Sequence, residues 1–279
     1  MADERWADLK ADREFIKCLD EADAAKESRG VILTTKRGLA KDWSNALADA
    51  CARMIAEEVR RDRRTSSFNI LPMPGGSAEP RTFVARGEEK EIDVVVSSSV
   101  SGLQVGFSLK GMNFRDLTSL SYAKNITGRS YELADEVDVV HEYQPAALMV
   151  AVFFLPLASV DDKRSKRSWS SFAQTVSKLR SRTMSERVDL KLPIHNKLAD
   201  MAFVALYVPA DIESDSQGSV DYFGCERGVV RYFNVEDDPP RRGRPKISTT
   251  LSLKGMVDAV LTKAFPDEDS NIEWADPEV

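Results

Sequence analysis

The chain lacks three features that would place it outside a cytoplasm or in a membrane. Its three cysteines, Cys18, Cys51 and Cys225, are widely spaced, match neither a zinc pattern nor a disulfide framework, and suit reduced thiols. The longest apolar run, 146–158, contains Pro156 and is too short to span a bilayer. The acidic start has no apolar stretch of the kind that secretory signals carry. We therefore expect a cytoplasmic protein with no membrane partner.

Several common catalytic motifs are also missing. The only two histidines, His141 and His195, do not form a metalloprotease pattern. There is no Gly-x-x-x-x-Gly-Lys-Ser/Thr loop for nucleotide phosphates and no Gly-x-Ser-x-Gly nucleophile motif. Metal-assisted hydrolysis is the chemistry that the remaining residues support.

That chemistry is indicated by a hairpin predicted at 91–111. Two β-branched or apolar runs flank a short link that contains Gly102. Apolar and polar residues alternate along the second run, so Ser108 and Lys110 are predicted to share one face of the strand. Asp93 lies on the neighbouring strand. This spacing of an acid and a lysine is used in Mg²⁺-dependent phosphodiester cleavage, where the carboxylate holds the metal and the lysine positions the attacking water.

At these residues the chain resembles the PD-(D/E)xK nucleases, the superfamily of most type II restriction endonucleases. The resemblance covers residues 43–157 as a helix, the hairpin, a second helix and a strand. It implies an α/β fold with a restriction-endonuclease-like core, in which a central mixed β-sheet is flanked by helices. It also implies Mg²⁺, or Mn²⁺ in its place, as cofactor and cleavage of double-stranded DNA. A homodimer is implied by analogy alone, since two-fold symmetry suits the cutting of both strands of a palindrome.

Within this resemblance Asp93 would bind the metal, Lys110 would position the water, and Ser108 would hydrogen-bond a metal-bound water. The chain departs from the family pattern at two positions. Ile92 stands where the family often has Pro, which is a minor change. Ser108 stands where the family usually has Asp or Glu, so one metal ligand must come from elsewhere.

Two predicted helices offer the missing carboxylate. Glu58 falls in the middle of the apolar stripe of a helix at 42–61, where an acid is costly unless it meets a metal or a cation. A basic partner at the rim is the alternative. Glu132 belongs to a helix within 117–143, and some restriction enzymes with Ser in this motif supply the acid from that helix. Arg129 either contacts a phosphate or pairs with Glu132 one turn along.

The net charge of −6 conceals strong segregation. Residues 163–191 are predominantly basic, whereas 266–279 hold acids and no base, and local patches decide whether a phosphate backbone is attracted. The segment 242–245, Arg-Gly-Arg-Pro, resembles an AT-hook core; a plain exposed linker is the alternative. Besides Arg129, the residues predicted to contact DNA are Lys163, Arg164, Lys166, Arg167, Arg241, Arg242 and Arg244.

The predicted organisation is an N-terminal helical extension at 1–40, the α/β domain at 41–265 and an acidic tail at 266–279. Apolar strands at 147–157 and 201–208 alternate with helices, as in an α/β sandwich. The competing function is a catalytically eroded DNA-binding or interaction protein on the same nuclease fold.

Overall fold

A computed structural model describes residues 5–25, 37–75, 82–85, 88–116, 118–162, 168–183, 197–210, 213–215, 218–220 and 222–266. The helices in these ranges are α1 Arg13–Ala25, α2 Arg37–Arg60, α3 Ile126–Tyr143, α4 Ser171–Arg180 and α5 Leu253–Ala264. The strands are β1 Asn69–Leu71, β2 Thr82–Ala85, β3 Glu88–Glu91, β4 Val94–Ser98, β5 Gly102–Gly111, β6 Leu148–Pro156, β7 Met201–Tyr207, β8 Glu213–Asp215, β9 Gly218–Val220, β10 Val230–Asn234 and β11 Thr250–Leu251.

A mixed sheet of seven strands forms the centre of the fold, in the order β1-β4-β5-β6-β7-β10-β11. The three central strands β5, β6 and β7 are parallel, and the strands outside them pair in antiparallel fashion. Every residue of β6 is buried, which explains its unbroken apolar sequence, since a strand covered on both faces needs no polar alternation. The predicted α/β class with a mixed sheet flanked by helices is confirmed.

The helices cover the two faces of this sheet in separate layers. Side chains of α1, α2 and α5 share one apolar cluster with Val105, Phe107 and Leu109 of β5, and we call this side the α2 face. Side chains of α3 and α4 share the other cluster with Met149 and Phe153 of β6, and we call this side the α3 face. The alternation along β5 therefore directs Ser108 and Lys110 to the α3 face.

Local sequence sets where several of the helices begin. The hydroxyls of Ser170 and Ser252 accept hydrogen bonds from the first turns of α4 and α5, as N-cap side chains do. The helix predicted at 42–61 starts earlier, at Arg37, and the helix predicted within 117–143 starts at Ile126.

The first helix packs into the core. Phe15 of α1 is fully buried, and its ring lies 6.5 Å from that of Phe154 and 5.5 Å from that of Tyr207. Arg227 pairs with Asp20 and Asp23 at the outer side of the same helix. Where the α/β domain begins stays a prediction, and residues 267–279 of the predicted acidic tail lie outside the described residues.

Candidate active site

The hairpin predicted at 91–111 is confirmed as the antiparallel pair of β4 and β5. Val94 is in register with Phe107, and Asp93 lies at the bend directly before β4, outside the paired residues. Asp93 is held there because its Oδ2 accepts a hydrogen bond of 2.6 Å from the backbone N–H of Leu109.

A carboxylate from α3 meets this hairpin. The hydroxyl of Ser108 donates to Oε2 of Glu136 at 2.6 Å, and Nζ of Lys110 lies 2.5 Å from Oε1 of the same residue. The side chains of Lys110 and Glu136 are only 11% and 17% exposed. We call Asp93, Ser108, Lys110 and Glu136 the hairpin site.

The surroundings of Asp93 raise its pKa. Burial raises the pKa of Asp93 to about 6, although the Leu109 N–H and the charge of Lys110 act in the opposite direction. The negative charges of Glu136 and Asp49 add to the increase. Asp93 is therefore a carboxyl whose ionised form is disfavoured by its surroundings and would be favoured by an added cation.

Asp49 brings a further carboxylate from the opposite helix layer. It belongs to α2 and is exposed overall, but desolvation of part of its side chain raises its pKa. Arg53 lowers this pKa and Glu91 raises it. Asp49 of α2 and Glu136 of α3 thus both add to the raised pKa of Asp93, which directly precedes β4.

The two carboxylates predicted to replace the missing ligand lie elsewhere. Glu132 pairs with Arg129 at 2.7 Å, and both side chains are about half exposed. Glu58 pairs with Arg61 at 2.8 Å, one turn along its own helix. The acid that reaches Ser108 and Lys110 is Glu136, one turn beyond Glu132. Neither of the two predicted candidates, Glu58 and Glu132, is thus the carboxylate that contacts Ser108 and Lys110, although Glu136 shares α3 with Glu132.

The pairing of Glu58 matches the alternative given for it. Glu58 lies nine residues beyond Asp49, which is about 13 Å along the axis of α2. Its observed partner, Arg61, is the kind of basic residue at the rim that the alternative described.

The helical periodicity of α3 indicates Glu136 as the acid nearer the sheet. At about 100° per residue, Glu136 lies about 60° from Leu133 and about 40° from Val140, both of which are buried. Glu132 lies about 100° and about 80° from the same two residues. Glu136 is therefore the acid closer to the face that α3 turns toward the sheet.

The basic segment 241–244 is anchored to the body of the protein. The carbonyl of Arg241 accepts a hydrogen bond from Ser170, and Arg242 pairs with Asp161. The guanidinium of Arg244 lies 4.7 Å from the ring centre of Phe223. These contacts fit the linker alternative better than a free AT-hook. Lys163, Arg164, Lys166 and Arg167 lie outside the described residues.

The donor atoms of the hairpin site suit a hard cation. Asp93, Glu136 and Ser108 offer oxygen atoms only, and Mg²⁺ commonly binds to one or two protein carboxylates while it keeps several waters. Within the described ranges, no group of three or more His, Cys, Asp or Glu side chains is arranged to hold a metal ion. The residues thus fit a site with two carboxylates and do not fit a dedicated metal cage.

Comparison of the chain with protein-family models, characterised proteins and solved structures finds no match. In the part of the chain that the structure describes, no helix is both long and apolar enough to cross a membrane. Any function assigned to the protein therefore rests on its own residues.

Proposed function

We propose that this protein is a Mg²⁺-dependent endonuclease that hydrolyses phosphodiester bonds of double-stranded DNA and resembles a type II restriction enzyme. The observation that supports the proposal is the contact of Glu136 with Ser108 and Lys110, next to Asp93, whose pKa responds to the charges of Lys110 and Glu136. A lysine, two carboxylates and a hydroxyl are the groups that such metal-assisted hydrolysis uses.

Each residue of the hairpin site has a role in this proposal. Asp93 and Glu136 would hold Mg²⁺, or Mn²⁺ in its place, which supplies Lewis-acid activation of the phosphate and of water when bound. Lys110 orients the attacking water and offsets the charge of the phosphate. Ser108 donates to Glu136 and fixes the rotamer of that carboxylate.

The contact between Lys110 and Glu136 bears on catalysis. One oxygen of Glu136 accepts from Ser108 and the other from Lys110, so each oxygen has one donor and keeps a second lone pair for a metal. Movement of Lys110 toward the DNA phosphate would open Oε1 of Glu136 further. A substrate phosphate favours that movement because it offers the ammonium a second anion.

The experiment is cleavage of supercoiled plasmid DNA at pH 8 in Mg²⁺ or Mn²⁺. We expect Lys110→Ala, Asp93→Ala and Glu136→Gln each to lower the rate by at least about a hundredfold, the usual range for lost catalytic groups. Glu132→Gln is the matched control, since it removes a carboxylate one turn away on the same helix, and we expect it to cleave like the wild type.

Two results would contradict this assignment. Equal cleavage by all the variants would mean that the activity does not reside at the hairpin site. No cleavage by any of them on DNA of varied sequence would remove the nuclease assignment.

A non-catalytic DNA-binding protein on the same fold is the second candidate. It is favoured by Ser108 at the position of the usual acid and by the engagement of both Glu136 oxygens. DNA binding in EDTA, without cleavage in either metal, would support this candidate.

The proposed cellular setting and assembly follow from the nuclease proposal. Buried, non-disulfide thiols at Cys18, Cys51 and Cys225 support a cytoplasmic location. A homodimer would place two hairpin sites on opposite strands of a palindrome. Light scattering during size-exclusion chromatography measures that assembly directly.

A further inference from the structure

A second surface lies on the outer side of α3 and α4. Glu136 faces β5, whereas the ring of Tyr131, five residues earlier on α3, contacts cations from α4 and the turn after it. Beside this contact is a groove of about 540 Å³. We call it the α3–α4 groove, and its lining residues are Ile126, Trp169, Gln174, Ser177, Lys178 and Ser181.

One exposed aromatic side chain, Trp169, lines this groove, and a second, Tyr131, lies beside it against Lys178. Trp169 is 45% exposed and Tyr131 is 59% exposed, although large aromatic residues usually bury most of their surface. By contrast, Trp6 and Trp43 are buried. An indole held at the surface between two helices presents an apolar ring to a partner.

The charge around these rings is positive. Lys178 and Arg182 lie over the ring of Tyr131, with 5.8 Å and 5.0 Å between the cationic group and the ring centre. In the described parts of the chain neither cation has a carboxylate partner, and none of the residues that line the groove is acidic. The occupant that matches these features is an anion with a planar group.

We infer that the α3–α4 groove binds single-stranded nucleic acid. A base stacks on Trp169, the adjacent phosphates contact Lys178 and Arg182, and Gln174 and Ser177 supply neutral hydrogen-bond donors. Aromatic side chains combined with a cationic groove form the general mode of binding to single strands. A duplex fits less well because its bases stack on one another and hide their faces. This binding goes beyond the proposed cleavage and needs no metal.

The test is fluorescence anisotropy of a labelled 12-nucleotide oligothymidine in EDTA at low salt. We expect Trp169→Ala to weaken binding by at least about fivefold, the lower end of the range for loss of one base stack. Trp169→Phe keeps an aromatic ring and should restore most of the affinity. Lys178→Ala should reduce the slope of log affinity against log salt by about 0.7, as expected for one lost phosphate contact on a single strand.

Two matched controls separate the groove from the general surface. Tyr143→Ala removes a similarly exposed aromatic residue at the far end of α3, and Lys254→Ala removes an exposed lysine of α5. Both should bind like the wild type. For an abasic strand of the same length, the wild type and Trp169→Ala should have the same affinity.

The inference is overturned if Trp169→Ala binds as Tyr143→Ala does, if a 12-base-pair duplex binds as tightly as the single strand, or if no binding occurs. Because EDTA prevents metal-dependent cleavage, these outcomes are independent of the hairpin site. Loss of plasmid cleavage in Lys110→Ala together with retained binding to oligothymidine would show that the two surfaces act separately.

Discussion

Two carboxylates of α3, one turn apart, have opposite surroundings. Glu136 joins Lys110 and Ser108 of β5, and both charged side chains of this pair are largely buried. Glu132 pairs with Arg129 of its own helix in solvent. Exposed pairs of the second kind contribute little to stability, whereas breaking a buried pair leaves a desolvated charge. The same type of residue is thus part of a buried pair with the sheet at position 136 and of an exposed pair at position 132.

The largest difference in stability between the two positions should appear when Glu136 and Glu132 are each replaced by alanine. Glu136→Ala should lower the free energy of unfolding by about 3 kcal/mol, since Lys110 loses its partner in a mostly desolvated position. Glu132→Ala should change it by less than about 0.5 kcal/mol. Urea denaturation at pH 7 measures both values. Equal losses of stability in Glu136→Ala and Glu132→Ala would mean that burial does not make the first ion pair more important than the second.

The raised pKa of Asp93 makes the stability of the protein depend on pH. Because the folded pKa of Asp93, about 6, is above the unfolded value near 4, the native state binds more protons between these pH values. This group therefore lowers the stability of the wild type as pH rises from about 4 to about 6. Asp93→Asn, which keeps an acceptor for the Leu109 N–H, should be more stable by about 3 kcal/mol at pH 8 and by almost nothing near pH 4.

Thermal unfolding across this pH range tests the prediction. A stability difference between the wild type and Asp93→Asn that does not vary with pH would show that burial does not disfavour the ionised carboxyl.

Stabilisation by Mg²⁺ should give a smaller difference in the free energy of unfolding between variants of Glu136 and Glu132. With a dissociation constant of about 1 mM, 10 mM Mg²⁺ would stabilise the wild type by about 1.4 kcal/mol. The gain should be larger at pH 8 than at pH 5, because protons compete with the metal for Asp93. Glu132→Gln should retain the shift in differential scanning calorimetry and Glu136→Gln should lose it. The opposite pattern would place the metal away from the hairpin site.

The smallest effect concerns the exposed pair itself. A double-mutant cycle on Arg129 and Glu132 should give a coupling of about 0.4 kcal/mol in dilute buffer that disappears in 1 M salt, through screening. The coupling of Lys110 with Glu136 should persist at the same salt, because buried charges are screened less. Equal salt sensitivity of the two couplings would argue that water reaches both pairs.

The contrast between these residues also explains what the sequence could predict. Ser108 and Lys110 lie on one strand, and the two-residue period of a strand decides which side chains share a face. Their placement therefore depends on local patterns alone. The burial of β6 and β7 was predictable for the same reason, since an unbroken apolar run needs cover on both faces.

The helical acids depend on information that is not local. The choice of Glu136 over Glu132 requires the rotation of α3. The segment before that helix is held by contacts distant in sequence, since the backbone N–H groups of Tyr122 and Ala123 donate to Ser171. Which acid of α2 influences Asp93 depends on the position at which α2 crosses the sheet. A helical-wheel plot of α2 shows which way each side chain points around the helix axis. It does not show which residue of α2 lies next to Asp93.

The contacts of α1 have a consequence for synthesis. Phe15 packs against Tyr207, which leaves the ribosome about 190 residues later, and at about 5–20 residues per second this corresponds to about 10–40 s of translation. For that time the apolar side of α1 cannot reach its final partner strand. The nascent chain must therefore keep its first helix shielded by α2 or by a chaperone until the parallel strands are complete.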